Sequence, residues 1–260
     1  MTHRPTEPTT FAARAPEAIG DSGWRQTILK RVTSDVPLKA GSTMLGIALF
    51  FAAYFWVLHH PLGTVTTMPV LAPDRWLDFE VVAMPLYLSL WAYVSLGPAL
   101  LPDRRSLLGY GVACGAIAGI GLILFLLLPT KVPPLMPEDA AEAATHAGMA
   151  LLRGVDLAGN ACPSLHVAFA LFAAIGLARE LRSIGAPPWL RALNATWCAG
   201  IVYSTLATRQ HVVLDVLAGA FLAVLVALPH AAWSRRGAAG RRTPPVAARP
   251  VTVRSAVGEP

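Results

Sequence analysis

The chain has 260 residues, of which 55% are hydrophobic and only 14% charged, and its mean hydropathy is +0.53. Those values exclude an ordinary soluble domain and a disordered chain, and point to a protein solvated by lipid. The net charge of +6 would suit nucleic acid, but the basic residues flank apolar runs without aromatic-basic interleaving. Anionic headgroups are the partner they fit, and no nucleic acid is expected.

In chain order, Met1–Gly20 is rich in Pro, Thr and Ala and reads as disordered. Trp24, Ile28, Leu29 and Val32, interleaved with Arg25, Lys30 and Arg31, suggest a short interfacial helix. Residues 1–40 lack the apolar core of a cleaved signal peptide, so the first span should remain as an uncleaved anchor. A membrane-crossing helix needs about 20 mostly apolar residues. Six runs approach that length: Gly41–Leu58, Phe79–Leu101, Leu107–Leu128, Leu165–Leu181, Ala192–Thr208 and Val212–Trp233. Residues 41–233 are therefore expected to form an all-α integral membrane domain of six transmembrane helices, between a cytoplasmic tail (1–40) and a flexible basic tail (234–260). Pro85 and Pro98 interrupt the second run, where packing accounts for them. Between the third and fourth runs, Pro137, Glu138 and Asp139 start, and Gly154 stops, an alanine-rich stretch that reads as a helix lying over the outer surface, with His146 solvated in it.

Orientation follows from the basic residues. Seventeen of the 21 Lys and Arg fall in residues 1–40, the "PDRRS" loop, Arg179–Arg191 and the tail, leaving Arg75, Lys131, Arg153 and Arg209 for the alternate connections. Both termini are thus expected in the cytoplasm, with the first, third and fifth connections facing outward. The abundance of Ala, Arg and Pro suggests a bacterial inner membrane, with the outward face periplasmic.

Ionisable residues within a membrane are costly and mark function. In "TRQHVVLDVLAGA", His211 and Asp215 stand four apart at the start of the last run, on one helix face. They are either an interface histidine with a snorkelling carboxylate, or an imidazole whose tautomer a carboxylate fixes, leaving its other nitrogen as base or nucleophile. His166, in "CPSLH", enters the fourth run from the same expected side of the membrane, as an interface histidine or as a second imidazole. Ser164 is a good N-cap, and the amides after it would face an anion at a positive helix end. Lys131 and Arg209 lie near membrane ends on that side, as interface anchors or phosphate ligands. Cys114, Cys162 and Cys198 have no metal-site spacing and read as packing residues.

This set suits a phosphate ester whose tail lies in the bilayer. His211, oriented by Asp215, would attack phosphorus while His166 protonates the leaving alcohol; Lys131, Arg209 and Ser164 would hold the phosphoryl oxygens. Water as acceptor makes a phosphatase, and a lipid alcohol makes a transferase. Two histidines and a carboxylate could instead bind a metal, although the nearby cations oppose that. A transporter would show polar residues at midplane in repeated interrupted spans, which are not seen. No cofactor or metal is expected.

"PSLH" at Pro163–His166, with Ser204, His211 and Asp215, resembles the type 2 phosphatidic acid phosphatase (PAP2) superfamily. Its second motif is Pro-Ser-Gly-His, and its third is Ser-Arg, five residues, His, three residues, Asp. The resemblance implies a PAP2-like helical bundle and a metal-independent mechanism with His211 as nucleophile, Asp215 as its activator and His166 as acid. It also places Ser204 in the phosphate site. Leu165 in place of glycine, "TRQH" and the span count resemble the branch containing inositol phosphorylceramide synthases. The sequence departs from the pattern at Thr205, where the family has arginine, and in lacking the first motif of Lys, six residues, Arg-Pro.

Overall fold

The computed structural model describes residues 21–135 and 160–239. Eight helices follow one another: α1 (Asp21–Thr33), α2 (Val36–His59), α3 (Met84–Leu88), α4 (Leu90–Leu100), α5 (Arg104–Leu127), α6 (Leu165–Ser183), α7 (Pro188–Ala207) and α8 (Val213–Ala239). The expected surface helix after Pro137, with His146, lies outside the described residues, as do Met1–Gly20 and the tail from Gly240.

The helix boundaries are written locally. Asp103 accepts the Ser106 amide at 2.7 Å to cap α5, Ser164 accepts the Val167 amide at 3.3 Å to cap α6, and proline opens α2 and α7. Gly185 follows α6 with φ 70°, a conformation open to glycine at little cost.

Among the described residues, four stretches are long and apolar enough to cross a membrane: Val36–His59, Val81–Leu100, Arg104–Leu127 and Val213–Arg235. Helices α6 and α7 occupy the fourth and fifth expected runs and have 19 and 20 residues, about 30 Å each at 1.5 Å per residue. They are less apolar, and their position accounts for it. Helix α6 packs against α4, α7 and α8, so Ala168, Ala170 and Ala173 are fully buried against protein rather than lipid. Its last turn carries Arg179, Glu180 and Arg182.

The second run is not one helix. A 3₁₀ turn (Val81–Ala83) leads into α3, and the helix breaks at Ser89 before α4. Ser89 Oγ donates to the Leu86 carbonyl at 2.6 Å and accepts from Trp197 Nε1 at 3.0 Å. A serine bonding back to its own helix competes with the regular ladder and favours such a break.

Helix α1 crosses the end of the bundle where α6 finishes. Trp24 and Ile28 pack on Leu181, Ile184 and Ala186, while Leu29 and Val32 remain exposed. Arg31 meets Glu180 at 2.7 Å, and the buried Lys39 ammonium donates to the carbonyls of Arg31 and Ala99 at 2.5 and 3.1 Å. Helix α8 runs six residues past Trp233, into what reads in sequence as a flexible tail. "SRRGAA" contains no proline to stop it, and Arg105 lies over the Trp233 ring at 5.2 Å.

At the other end, Thr66–Thr67 (β1) and Thr130–Lys131 (β2) pair in parallel, and Thr130 also bridges to Asn160.

Candidate active site

Two helix starts meet at the end opposite α1. Ser164 is fully buried; its amide donates to the Asp215 carbonyl at 3.0 Å. Helix α8 passes so close that a Cβ on Gly219 would stand 2.3 Å from the Ser164 carbonyl oxygen. Only glycine permits this approach, and it brings His166 at the head of α6 and His211 just before α8 to one cavity.

Asp215 is fully buried. Its Oδ2 accepts the Val212 amide at 3.0 Å and lies 3.4 Å from His211 Nδ1. That separation exceeds an N–H···O hydrogen bond, and neither His211 Nδ1 nor Asp215 Oδ1 has another hydrogen-bond partner among the described residues. Such pairs are often long without substrate and tighten when it binds. With Nδ1 directed to the carboxylate, Nε2 is the nitrogen available to the cavity. Cys162 lies beside Asp215; burial, reinforced by that carboxylate, pushes its thiol up to about 11, so it stays protonated and unreactive at neutral pH.

His166 Nε2 stands 2.9 Å from the Tyr87 carbonyl. A carbonyl only accepts, so this nitrogen carries a proton. The Tyr87 ring stacks on the imidazole with centroids 3.9 Å apart and planes 11° apart. Tyr87 belongs to α3, immediately before the break, so the interrupted second run helps seat the second histidine.

The two histidines share the wall of a cavity of about 420 Å³. Asn160 and Gln210 add amide side chains to the lining, and much of the rest is aromatic, with Phe50, Tyr54, Trp91, Phe125 and Phe169 among the lining residues. Asn160 is anchored through Nδ2 to the Tyr54 carbonyl at 3.3 Å.

The expected phosphate ligands are placed differently from one another. Ser164 uses its hydroxyl to cap α6. Ser204 is fully buried and donates to the Ile201 carbonyl at 2.6 Å within α7. Lys131 is exposed on β2. Arg209 donates Nη1 to the Asp74 carbonyl at 2.6 Å and Nη2 to the Leu77 carbonyl. None of these four is among the described residues lining the cavity. Tyr87, Asn160 and Gln210, which do line it, carry no distinguishing signal in the sequence, and neither does Asp74. Gln210 directly precedes His211; Tyr87, Asn160 and Asp74 are ordinary residues locally, and only the tertiary fold brings them to the site.

A family model described as the PAP2 superfamily matches residues 70–228, more than half of the chain. The chain belongs to the PAP2 superfamily. No curated protein and no solved structure matches it. PAP2 membership supports an enzyme of the phosphatase or phosphotransferase kind, and with the four apolar spans it supports a membrane protein.

The departure from the PAP2 second motif has a counterpart in the packing. Leu165 is buried, and a Cβ on Gly121 of α5 would lie 2.4 Å from its Cδ2. The leucine fits because the facing residue has no side chain. Leu165→Ala is expected to cost about 2 kcal/mol or more, and adding Gly121→Ala should recover part of it. Thermal unfolding in detergent reads both, and strictly additive effects would show that the pair is not coupled.

Proposed function

We propose that the protein is an integral membrane enzyme that cleaves a lipid phosphate ester through a phospho-histidine, without a metal. The observation that carries this reading is the pair of imidazoles from separate helix starts on one cavity wall, one of them backed by a buried carboxylate. His211 Nε2 attacks phosphorus as the P–O bond to the leaving alcohol breaks. His166, protonated on both nitrogens when substrate is bound, supplies the proton that alcohol needs from Nε2, exchanging the Tyr87 carbonyl for the ester oxygen and becoming a neutral imidazole. An acceptor hydroxyl then attacks the phospho-histidine, returning its proton to His166 and releasing His211. Asn160 and Gln210 are neutral donors suited to the phosphoryl oxygens. The aromatic lining of the cavity suits the apolar part of the substrate.

In this reading α6 and α7 complete six spans. The termini lie in the cytoplasm with most of the basic residues, and the site faces the periplasm or exterior.

Transfer of a headgroup between lipids, as in inositol phosphorylceramide synthases, is a second reading that one observation favours. Among the described residues the cavity wall carries no Lys or Arg. A phosphomonoester is close to doubly charged at neutral pH, whereas a diester carries one charge. Burying the second charge without a partner is costly.

Incubating the purified protein with lipid phosphates and phosphodiesters, with and without diacylglycerol or ceramide, and analysing products by mass spectrometry tests both readings. Free phosphate from monoesters without acceptor identifies a phosphatase; headgroup on the added lipid identifies a transferase. Chelator is expected to leave turnover unchanged, and loss of a stoichiometric metal together with activity would overturn the metal-free mechanism.

A further inference from the structure

The segment between α7 and α8, which carries His211, holds its shape only partly by itself. The Thr205 carbonyl accepts the amides of both Gln210 and His211 at 3.1 Å. Arg209 has a left-handed backbone, φ 57°, which a non-glycine residue keeps where its surroundings enforce it.

The enforcement comes from the connection between α2 and α3. The Glu80 amide donates to the Ala207 carbonyl at 2.9 Å, and the Arg209 guanidinium spans the carbonyls of Asp74 and Leu77. Asp74, only 3% exposed, accepts the Val213 amide on Oδ1 and the Leu71 amide on Oδ2, each at 2.7 Å. Val213 opens α8. Its amide is one that a helix start cannot satisfy internally, so a carboxylate from a distant part of the chain does the work of a cap and meets the positive end of the helix. The preceding amide, of Val212, goes to Asp215. His211 is thus followed by two consecutive amides, each fixed by a buried carboxylate.

We propose that Asp74 and Arg209 form a clasp that sets the position of His211, and that they act on the reaction as positioning residues rather than as ligands of the substrate. Its catalytic consequence rests on the reading of His211 as nucleophile; its structural content does not.

The test uses the full-length protein in detergent. Hydrogen exchange followed by mass spectrometry over residues 208–216 reads the clasp directly. Asp74→Ala should speed exchange there by about tenfold or more while α5 is unchanged. Asp74→Asn keeps an acceptor for Val213 but opposes an NH₂ to the Leu71 amide, and Arg209→Lys cannot fork across two carbonyls. Both milder variants should fall between wild type and Asp74→Ala, and they serve if the alanine variant does not fold. On a lipid substrate from the assay above, kcat should drop about 100-fold in Asp74→Ala, the scale of a misplaced reacting group, with KM within about threefold. A phosphate ligand at Arg209 would give the reverse: raised KM and unchanged exchange in Arg209→Lys. Unchanged exchange in the Asp74 variants, or faster exchange with normal turnover, overturns the proposal. A wild-type protein inert toward every lipid phosphate, with exchange responding as expected, defeats the catalytic reading and leaves the clasp standing.

Discussion

Replacing His211 with alanine is expected to reduce turnover of the lipid phosphate ester by at least about 10⁴-fold, the scale on which loss of a covalent nucleophile acts. The fold should survive, because the imidazole borders the cavity and makes no side-chain hydrogen bond among the described residues, while the His211 backbone amide keeps its bond to the Thr205 carbonyl. Asp215→Asn should approach the same loss by another route. The oxygen that accepts the Val212 amide is also the one nearest His211 Nδ1, so asparagine keeps that acceptor but loses the negative charge that stabilises the imidazole ring as it turns positive on attacking phosphorus. His166→Ala removes the acid and should slow substrates with poor leaving groups most. A phosphoenzyme that is stable to alkali and labile to acid, formed by wild type and missing from His211→Ala, would identify the intermediate. Near-normal turnover in His211→Ala, or a phosphoenzyme surviving in it, would remove His211 from the role.

Gly219→Val is expected to be nearly as damaging, although position 219 bears no chemical group. Its Cβ would meet backbone, the Ser164 carbonyl oxygen at 2.3 Å, and backbone cannot rotate aside as a side chain can. Relief requires α8 to move away from the head of α6, the displacement that separates His211 from His166. Overpacking of this kind costs about 3 kcal/mol, and activity should fall further than stability. Gly115→Ala is the matched control, since a Cβ there meets nothing within 4 Å, and it should shift stability by less than about 1 kcal/mol. Thermal unfolding and turnover measured on both variants check this. A Gly219→Val protein with wild-type stability and activity would show that the two helix starts need not touch.

The parts of this protein legible in its sequence are those in which local chemistry and lipid solvation agree. A histidine and an aspartate four apart at the head of an apolar run stand out because such groups are costly there, and Ser164 marks a helix start wherever it occurs. The four stretches apolar enough to cross a membrane are legible for the same reason. The break at Ser89 is not, because a serine in a helix gives no sign of whether it will bond back to Leu86 or hold Trp197. Asp74, Tyr87 and Asn160 join the site through connections whose paths no local pattern encodes. Arg209 reads as a ligand because it is a cation two residues from a histidine. Nothing local indicates that its long side chain reaches the carbonyls of Asp74 and Leu77.

The small stitch between β2 and the segment before α6 bears on how such an enzyme could diversify. Thr130 accepts the Ala161 amide at 3.1 Å and, through Oγ1, the Cys162 amide at 2.8 Å, so the chain leaves the bundle and re-enters it at the same spot. The two ends of the intervening segment are held together independently of its length. Loop closure grows costlier by only about 0.6 kcal/mol for each doubling of length. That interval can lengthen, shorten or be exchanged while His166, His211 and Asp215 keep their geometry.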